Sequence, residues 1–295
     1  MGKLSVDIIE DTYLNKSAAA ANNLSILIGM DRFAYLIHTA DRQVLVLREY
    51  EQEPRASTTT KQGQSSFSLS ELEQICKEDA HLSQSYARIR IGWTTPFSAL
   101  VPKRLYDADH KAAYLQYLTH PEGQWDYVAD ELPNFEAVQV YAILGEGLSW
   151  CKKQFPGSEM LHASTAFLDG ARTMLNGQPG GGRRLFIHIS PGAVRLTLLN
   201  ETHLYFTNSY TFQTAKDFLY YVLAVFDECE LDQETTPILL SGQLIEDSEI
   251  YRLLYRYFRK LSFVPCPPQL SLGPQLSALP QHLYTDLYFL ALHAG

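Results

Sequence analysis

Three places in the chain carry residue types that do chemistry. The first is LFIHISPGAVRLTLL, Leu185 to Leu199, where His188 lies in an alternating strand ahead of a Ser190-Pro191-Gly192 turn. A histidine titrates near neutrality and suits proton transfer at a cleft; in a strand it serves equally as a hydrogen-bonded structural group. The turn either cradles a phosphate on its backbone N–H groups or only reverses the chain. The second place is Asp31-Arg32, a carboxylate beside a guanidinium in the corresponding turn near the N-terminus. That pair suits a small anion, or is simply a polar hairpin tip. The third is LLSGQL, where Ser241-Gly242-Gln243 follows a strand and precedes a helix.

Other groupings read as scaffold. His162, Ser164 and Asp169 are the three types of a hydrolase triad, but they stand too close together and lack a GxSxG nucleophile elbow. Arg252, Arg256 and Arg259, with Tyr251 and Tyr255, form a helix ridge that would suit an acidic or planar partner, or a solvated face. Cys76, Cys151, Cys229 and Cys266 form no CxxC pair, so their spacing suggests neither zinc nor a disulfide framework. No metal site is read. GQPGGGRR, despite its glycines, lacks the GxxxxGK[ST] spacing and leads into a strand, so it reads as a linker or hairpin loop.

Composition narrows the partners. With 46% hydrophobic and 19% charged residues the chain is an ordinary globular one, and 295 residues suffice for one large domain or two modest ones. A formal charge of −9 without a long Lys/Arg run weighs against nucleic acid and anionic membranes. No signal-peptide core and no spanning apolar run is present, so membrane insertion is not expected and the location reads as cytoplasmic.

The positioning elements follow from periodicity. Residues 1–23 read as an approach segment. Leu24, Ile26 and Ile28 alternate, as do Phe33, Tyr35 and Ile37, and VLVL follows: three strands. Ser68 and Glu71 form a capping box for a helix. YARIRIGW and FSALVP read as strands, YDADHKAAYLQYLTH as a helix, EAVQVYAIL as a strand, and GLSWCKKQF and HASTAFLDGARTML as helices. After GQPGGGRR the pattern restarts: strands at RRLFIHI, AVRLTLL and HLYFTNSYTF, a helix at TAKDFLYYVLAVFDE, a strand at TPILLSG, and helices at EIYRLLYRYFRKLSF and HLYTDLYFLALHA.

The two meanders superpose at an offset of 161 residues. Leu24, Ile26 and Ile28 fall on Leu185, Ile187 and Ile189; Phe33, Tyr35 and Ile37 fall on Val194, Leu196 and Leu198. All are apolar, so both copies share strand length and inward phase, and a one-residue slip would reverse the faces. Three strands, helix, strand, helix in each copy implies an α/β fold with a mixed sheet: an antiparallel meander, then parallel strands on crossover helices. The expected division is a first lobe over 24–178, a second over 183–280 and a C-terminal helix over 281–295 packing back on the body. The first turn of each lobe should face the cleft between them.

Duplicated β-β-β-α-β-α lobes resemble the actin, hexokinase and Hsp70 ATPase superfamily, with its ribonuclease H-like lobes, and more closely the actin-like proteins of type IV pilus assembly. The segments LSILIGMDRFAYLI, FSALVPKRLYDADHKAAYLQYL, DFLYYVLAVFDECELD and ILLSGQLIEDSEIYRLLYRYF resemble a bacterial family known from the Bacteroidetes, a domain of unknown function with an actin-like ATPase fold. The resemblance implies a fold and no particular activity. In nucleotide-using members of the superfamily the first turn of each lobe reads Asp-x-Gly-x-x-Thr, the aspartate serving metal and water. Here His188 falls at the acidic position, Ser190 at the glycine, and Pro191 removes an N–H; in the first copy Leu27 or Ile28 falls near the acidic position, leaving Asp31 as the only carboxylate. Gln243 stands where the adenosine motif has a second glycine.

The expectation is therefore a non-catalytic protein-interaction module without a cofactor, with a protein partner. Residual nucleotide binding stays open, as does homodimerisation, for which no residue pattern speaks. The alternative is a divergent ATP-binding phosphotransferase or ATPase whose carboxylates come from Asp107, Asp109, Glu146 and Asp169. A third reading, a nuclease with the related fold, lacks the strand-one aspartate and the basic charge.

Overall fold

The computed structural model describes residues 2–14, 19–29, 32–52, 67–118, 123–176, 182–201 and 203–293. Asp31 and the core of the glycine-rich linker, residues 177–181, lie outside the described residues.

The first sheet has six strands. β1 (Gly2–Ile9), β2 (Asn23–Ile28), β3 (Arg32–His38), β4 (Val44–Gln52), β5 (Arg88–Trp93) and β9 (Glu159–His162) lie in the order β1-β4-β3-β2-β5-β9. Three strands, β6 (Ser98–Pro102), β7 (Trp125–Leu132) and β8 (Ala137–Leu144), form a separate antiparallel sheet ordered β6-β8-β7. The second large sheet has five: β10 (Arg184–Ser190), β11 (Ala193–Leu199), β12 (Leu204–Thr211), β13 (Ile238–Gly242) and β14 (Leu261–Phe263), ordered β12-β11-β10-β13-β14. The helices are α1 (Asp11–Leu14), α2 (Leu69–Glu78), α3 (Gly145–Gln154), α4 (Ala163–Leu175), α5 (Ala215–Glu228), α6 (Glu249–Tyr257), α7 (Pro274–Ser277) and α8 (Thr285–Leu292).

The duplication is visible in the pairing register. In the first lobe Leu24, Ile26 and Ile28 pair with Ile37, Tyr35 and Phe33. In the second, Leu185, Ile187 and Ile189 pair with Leu198, Leu196 and Val194, the same residues displaced by the repeat. β2 then pairs in parallel with β5, and β10 with β13; β9 and β14 close the parallel halves. Without β1, both sheets have the order third, second, first, fourth, fifth.

Each of the two large sheets is covered on both faces, which is why its central strands read as nearly continuous apolar runs. One face of the first sheet packs Ile26, Ile28, Phe33 and Tyr35 against Leu72, Ile75 and Trp150 of α2 and α3. One face of the second packs Ile187, Ile189 and Leu196 against Phe218, Val222 and Leu254 of α5 and α6. The remaining faces meet α4 and α8, which lie against each other. α8 covers Leu27, Ala34 and Leu36 of the first sheet through Leu287 and Leu290. α4 covers Phe186 and Leu199 of the second through Phe167 and Ala171, with Phe289 of α8 in the same cluster. The two helices approach so closely that a Cβ on Gly170 would lie 2.2 Å from the Phe289 ring.

Several expectations need correction. The approach segment contains β1, an antiparallel edge partner of β4 that alternates Leu4, Val6 and Ile8. FSALVP and EAVQVYAIL belong to the small three-stranded sheet, which interrupts the first lobe between β5 and α3. YDADHKAAYLQYLTH is not an α-helix: Ala108–Leu115 is 3-10 helical with a break at His110. Only Leu115 there is buried, so no apolar stripe rewards a regular helix. The EIYRLLYRYFRKLSF helix stops at Tyr257, and Leu261–Phe263 turns into β14.

Candidate functional site

The N-terminus of α8 meets Arg32, the first residue of β3, and His188, near the end of β10. β10 and β11 pair from Arg184–Leu199 to Ser190–Ala193, leaving Pro191-Gly192 as a two-residue loop. Gly192 has φ +68°, and proline holds φ near −65°; this is the residue pair of a type II turn. A proline has no N–H to offer, and the Gly192 carbonyl accepts from Phe212 N–H at 2.9 Å.

The Ser241-Gly242-Gln243 corner has an equally structural account. Gly242 adopts φ +81°, and a Cβ there would fall 2.1 Å from the Ile189 carbonyl oxygen. That carbonyl accepts from Gln243 N–H at 2.8 Å, tying the corner to the end of β10. The glycine lets two backbones touch. Ser241 is fully buried, and its hydroxyl stands 3.1 Å from His188 Nδ1.

His188 faces away from Ile187 and Ile189, its ring centroid 5.1 Å from that of Phe167 of α4. Its Nε2 lies 3.6 Å from Asp286 Oδ2, in the first turn of α8. Asp286 in turn is ion-paired with Arg32 Nη2, and Arg32 Nη1 is 3.4 Å from Glu49 Oε2 of β4. Arg32 Nη1 also donates to the Leu283 carbonyl at 3.4 Å. Arg195, opposite His188 across the hairpin, lays its guanidinium over Phe167, 5.8 Å from the ring centre. Thus both lobes and the closing helix meet in one buried polar chain, Ser241–His188–Asp286–Arg32–Glu49.

Its charge states follow from burial and neighbours. Burial pushes the Asp286 carboxyl up, but the Arg32 charge and His188 outweigh it and hold Asp286 below the usual carboxylate range. Burial lowers His188 despite Asp286, so the imidazole is neutral at pH 7. Desolvation also lowers Arg195, to about 10, which leaves it charged.

The other sequence candidates lie apart from this chain. His162 is the N-cap of α4: Nδ1 accepts from Ser164 N–H at 3.1 Å, while Nε2 is 3.1 Å from the Thr95 carbonyl oxygen. Asp169 Oδ2 pairs with His293 Nδ1 at 3.1 Å, so His162, Ser164 and Asp169 assemble no triad. Asp107 accepts from Asp109 N–H at 2.9 Å in an exposed turn, and Glu146 is exposed on α3. Among the described residues no group of three or more His, Cys, Asp or Glu side chains is placed to share a metal ion. Arg252, Arg256 and Arg259 are exposed; Arg252 donates to the Asp247 carbonyl and Arg259 pairs with Glu234.

Asp286 and Glu49 are not singled out by the sequence reading. Asp286 is the only acid in HLYTDLYFLALHA, an otherwise apolar helix, and that isolation is the signal that finds it.

Two sheets of common strand order with the paired helices α4 and α8 between them define the actin-like ATPase fold. The chain belongs to the family described as protein of unknown function (DUF3822), whose model matches residues 11–261. A crystal structure of a protein from Bacteroides thetaiotaomicron VPI-5482, with actin-like ATPase fold and unknown function, aligns with a TM-score of 0.74 at 17% identity, covering 96% of this chain and 99% of that one. The PilM-PilN type IV pilus biogenesis complex aligns with a TM-score of 0.58 at 14% identity, covering 92% and 97%. At such identities the likeness is one of fold. No curated protein matches the sequence. Among the described residues no helix is long and apolar enough to cross a membrane.

Proposed function

We propose that this protein is a cytoplasmic, non-hydrolysing member of the actin-like fold that acts through protein contacts. The observation that carries the reading is the buried chain His188–Asp286–Arg32–Glu49 at the two turns. Arg32, the cation nearest the first turn, already faces two carboxylates, which would repel a triphosphate. Pro191 withholds a donor, and the Gln243 N–H at the corner is committed to the Ile189 carbonyl. The second lobe presents aromatic area to solvent at Tyr205, Tyr220 and Tyr255, of the type enriched where proteins meet. A fold relative, PilM, was solved in complex with PilN, which is in keeping with a protein partner.

A thermal-shift titration with ATP and ADP, each with magnesium, tests the reading, since a ligand of the native state raises the melting point. The expected result is no phosphate release and no rise in midpoint that Gly192→Glu, at the hairpin turn, removes. A concentration-dependent rise accompanied by phosphate release overturns it.

A further inference from the structure

At the far end of α8 from Asp286 lies a second polar site. A cavity of about 400 Å³ opens where β2 and β5 begin and β3 ends. Asn23 pairs across the sheet with both His38 and Arg88, and Ser25 with Arg90, so these residues stand side by side. Among the described residues the lining is Arg42, Arg88, Arg90, His38 and His293 with small or apolar neighbours, and it includes no carboxylate. In a chain of net charge −9 this is a concentrated positive patch.

The cations differ in what already answers them. Arg90 is buried, reaches Glu159 at 3.0 Å and donates to the Leu290 carbonyl at 3.2 Å, closing the C-terminus of α8. His293 pairs with Asp169. Arg42 and Arg88 are exposed at the rim and have no ion-pair partner among the described residues. Arg42 is held in the left-handed region at φ +64°, in the turn after β3 that hydrogen-bonds to Ser271. Ser25 and His38 are buried polar groups at the floor; His38 Nδ1 is 2.9 Å from the Thr39 carbonyl oxygen, which leaves Nε2 as its free ring nitrogen.

We infer that this cavity is a binding site for a small phosphate-bearing molecule, with Arg42 and Arg88 gripping the phosphoryl oxygens above Ser25 and His38. Guanidinium forks match phosphate oxygens in pairs and stay charged when desolvated. The volume falls in the range of small-molecule sites and exceeds what one inorganic phosphate fills. The site is separate from the hairpin turns, so its failure would leave the proposed function standing.

Titration calorimetry of the full chain with sodium pyrophosphate, against sodium chloride at matched ionic strength, tests the inference. The expected result is saturable binding at one site. Arg42→Gln/Arg88→Gln, changing two exposed rim residues, weakens it roughly a hundredfold, about tenfold for each guanidinium removed. Arg42→Glu/Arg88→Glu abolishes it; should that variant fail to fold, the glutamine pair carries the test. Absence of binding by the native chain, or undiminished binding by the glutamine variant, overturns the inference. Tighter binding of a hexaglutamate peptide than of pyrophosphate also overturns it, assigning the patch to an acidic protein segment.

Discussion

At the residue scale the account rests on Asp286, a buried side chain that holds Arg32 and stands beside His188. Removing one member of a buried ion pair costs up to about 3–5 kcal/mol, and here Arg32 keeps Glu49 as a second carboxylate partner. Asp286→Ala should lose stability on that scale in a denaturant titration. Arg32→Met/Glu49→Gln/Asp286→Leu, which removes the cation together with both its carboxylates, should recover most of the loss, because apolar or neutral replacement of a whole buried ionic group is close to neutral. Equal damage from the single and triple variants would mean the ionic group is not the unit that matters. Asp79 is the corresponding structural acid elsewhere: it accepts from the Tyr35 and Tyr50 hydroxyls at 2.6 and 2.7 Å and pairs with Arg48 at 3.0 Å, fastening β3 and β4 to the end of α2.

At the element scale, α4 and α8 bind the lobes together through Gly170 and Phe289. Gly170→Ala puts a methyl group into the Phe289 ring, and overpacking of this kind costs about 1–3 kcal/mol. Phe289→Leu in the same chain should return part of the loss, read as a rise in the melting midpoint over Gly170→Ala alone. Gly242→Ala should destabilise more, because the obstacle is the Ile189 backbone and the residue needs positive φ. Most of these elements are legible in the sequence. The repeat from Leu24 to Ile37 and Leu185 to Leu198 is readable because its apolar residues recur at every second position in short runs separated by turn residues, and the Ser68–Glu71 capping box is present at α2. β1, β7, β9 and β14 are not. β1 is a half-exposed edge that mixes charge into its alternation, and β9 and β14 are four and three residues long, so distant pairing partners rather than local preference make them strands. The site is legible in part: the turns point to His188 and Arg32, whereas Asp286 joins them only because α8 folds back between the sheets. Arg88 and Arg90 alternate with Ile89 and Ile91 in one strand, a period-two signal whose polar half makes sense once its far face is known to meet the end of α8.

At the scale of the whole molecule, two copies of one unit share an interior that contains neutral histidines. Burial lowers His38, His162 and His188, His162 to about 3, while an unfolded histidine titrates near 6.5. The unfolded chain therefore binds more protons below about pH 6.5, and stability falls as pH drops from about 7 towards 5. Burial also lowers His81; Asp130, raised by burial to about 6, acts in the opposite sense, one group against four. Asp79 and Asp286, held low, lose their contribution only in stronger acid. Melting midpoints across that pH range should decline, and less steeply for His162→Asn, whose side chain still caps Ser164 N–H but does not titrate. A flat or rising profile would contradict this assignment. The most direct test of the central claim, that protein side chains have taken the place of a triphosphate between the lobes, is titration calorimetry of the Arg42→Gln/Arg88→Gln variant, in which the separate phosphate cavity is disabled, with magnesium ATP. The account predicts no saturable heat; a one-to-one isotherm abolished by Gly192→Glu, a change at the hairpin turn itself, would contradict it.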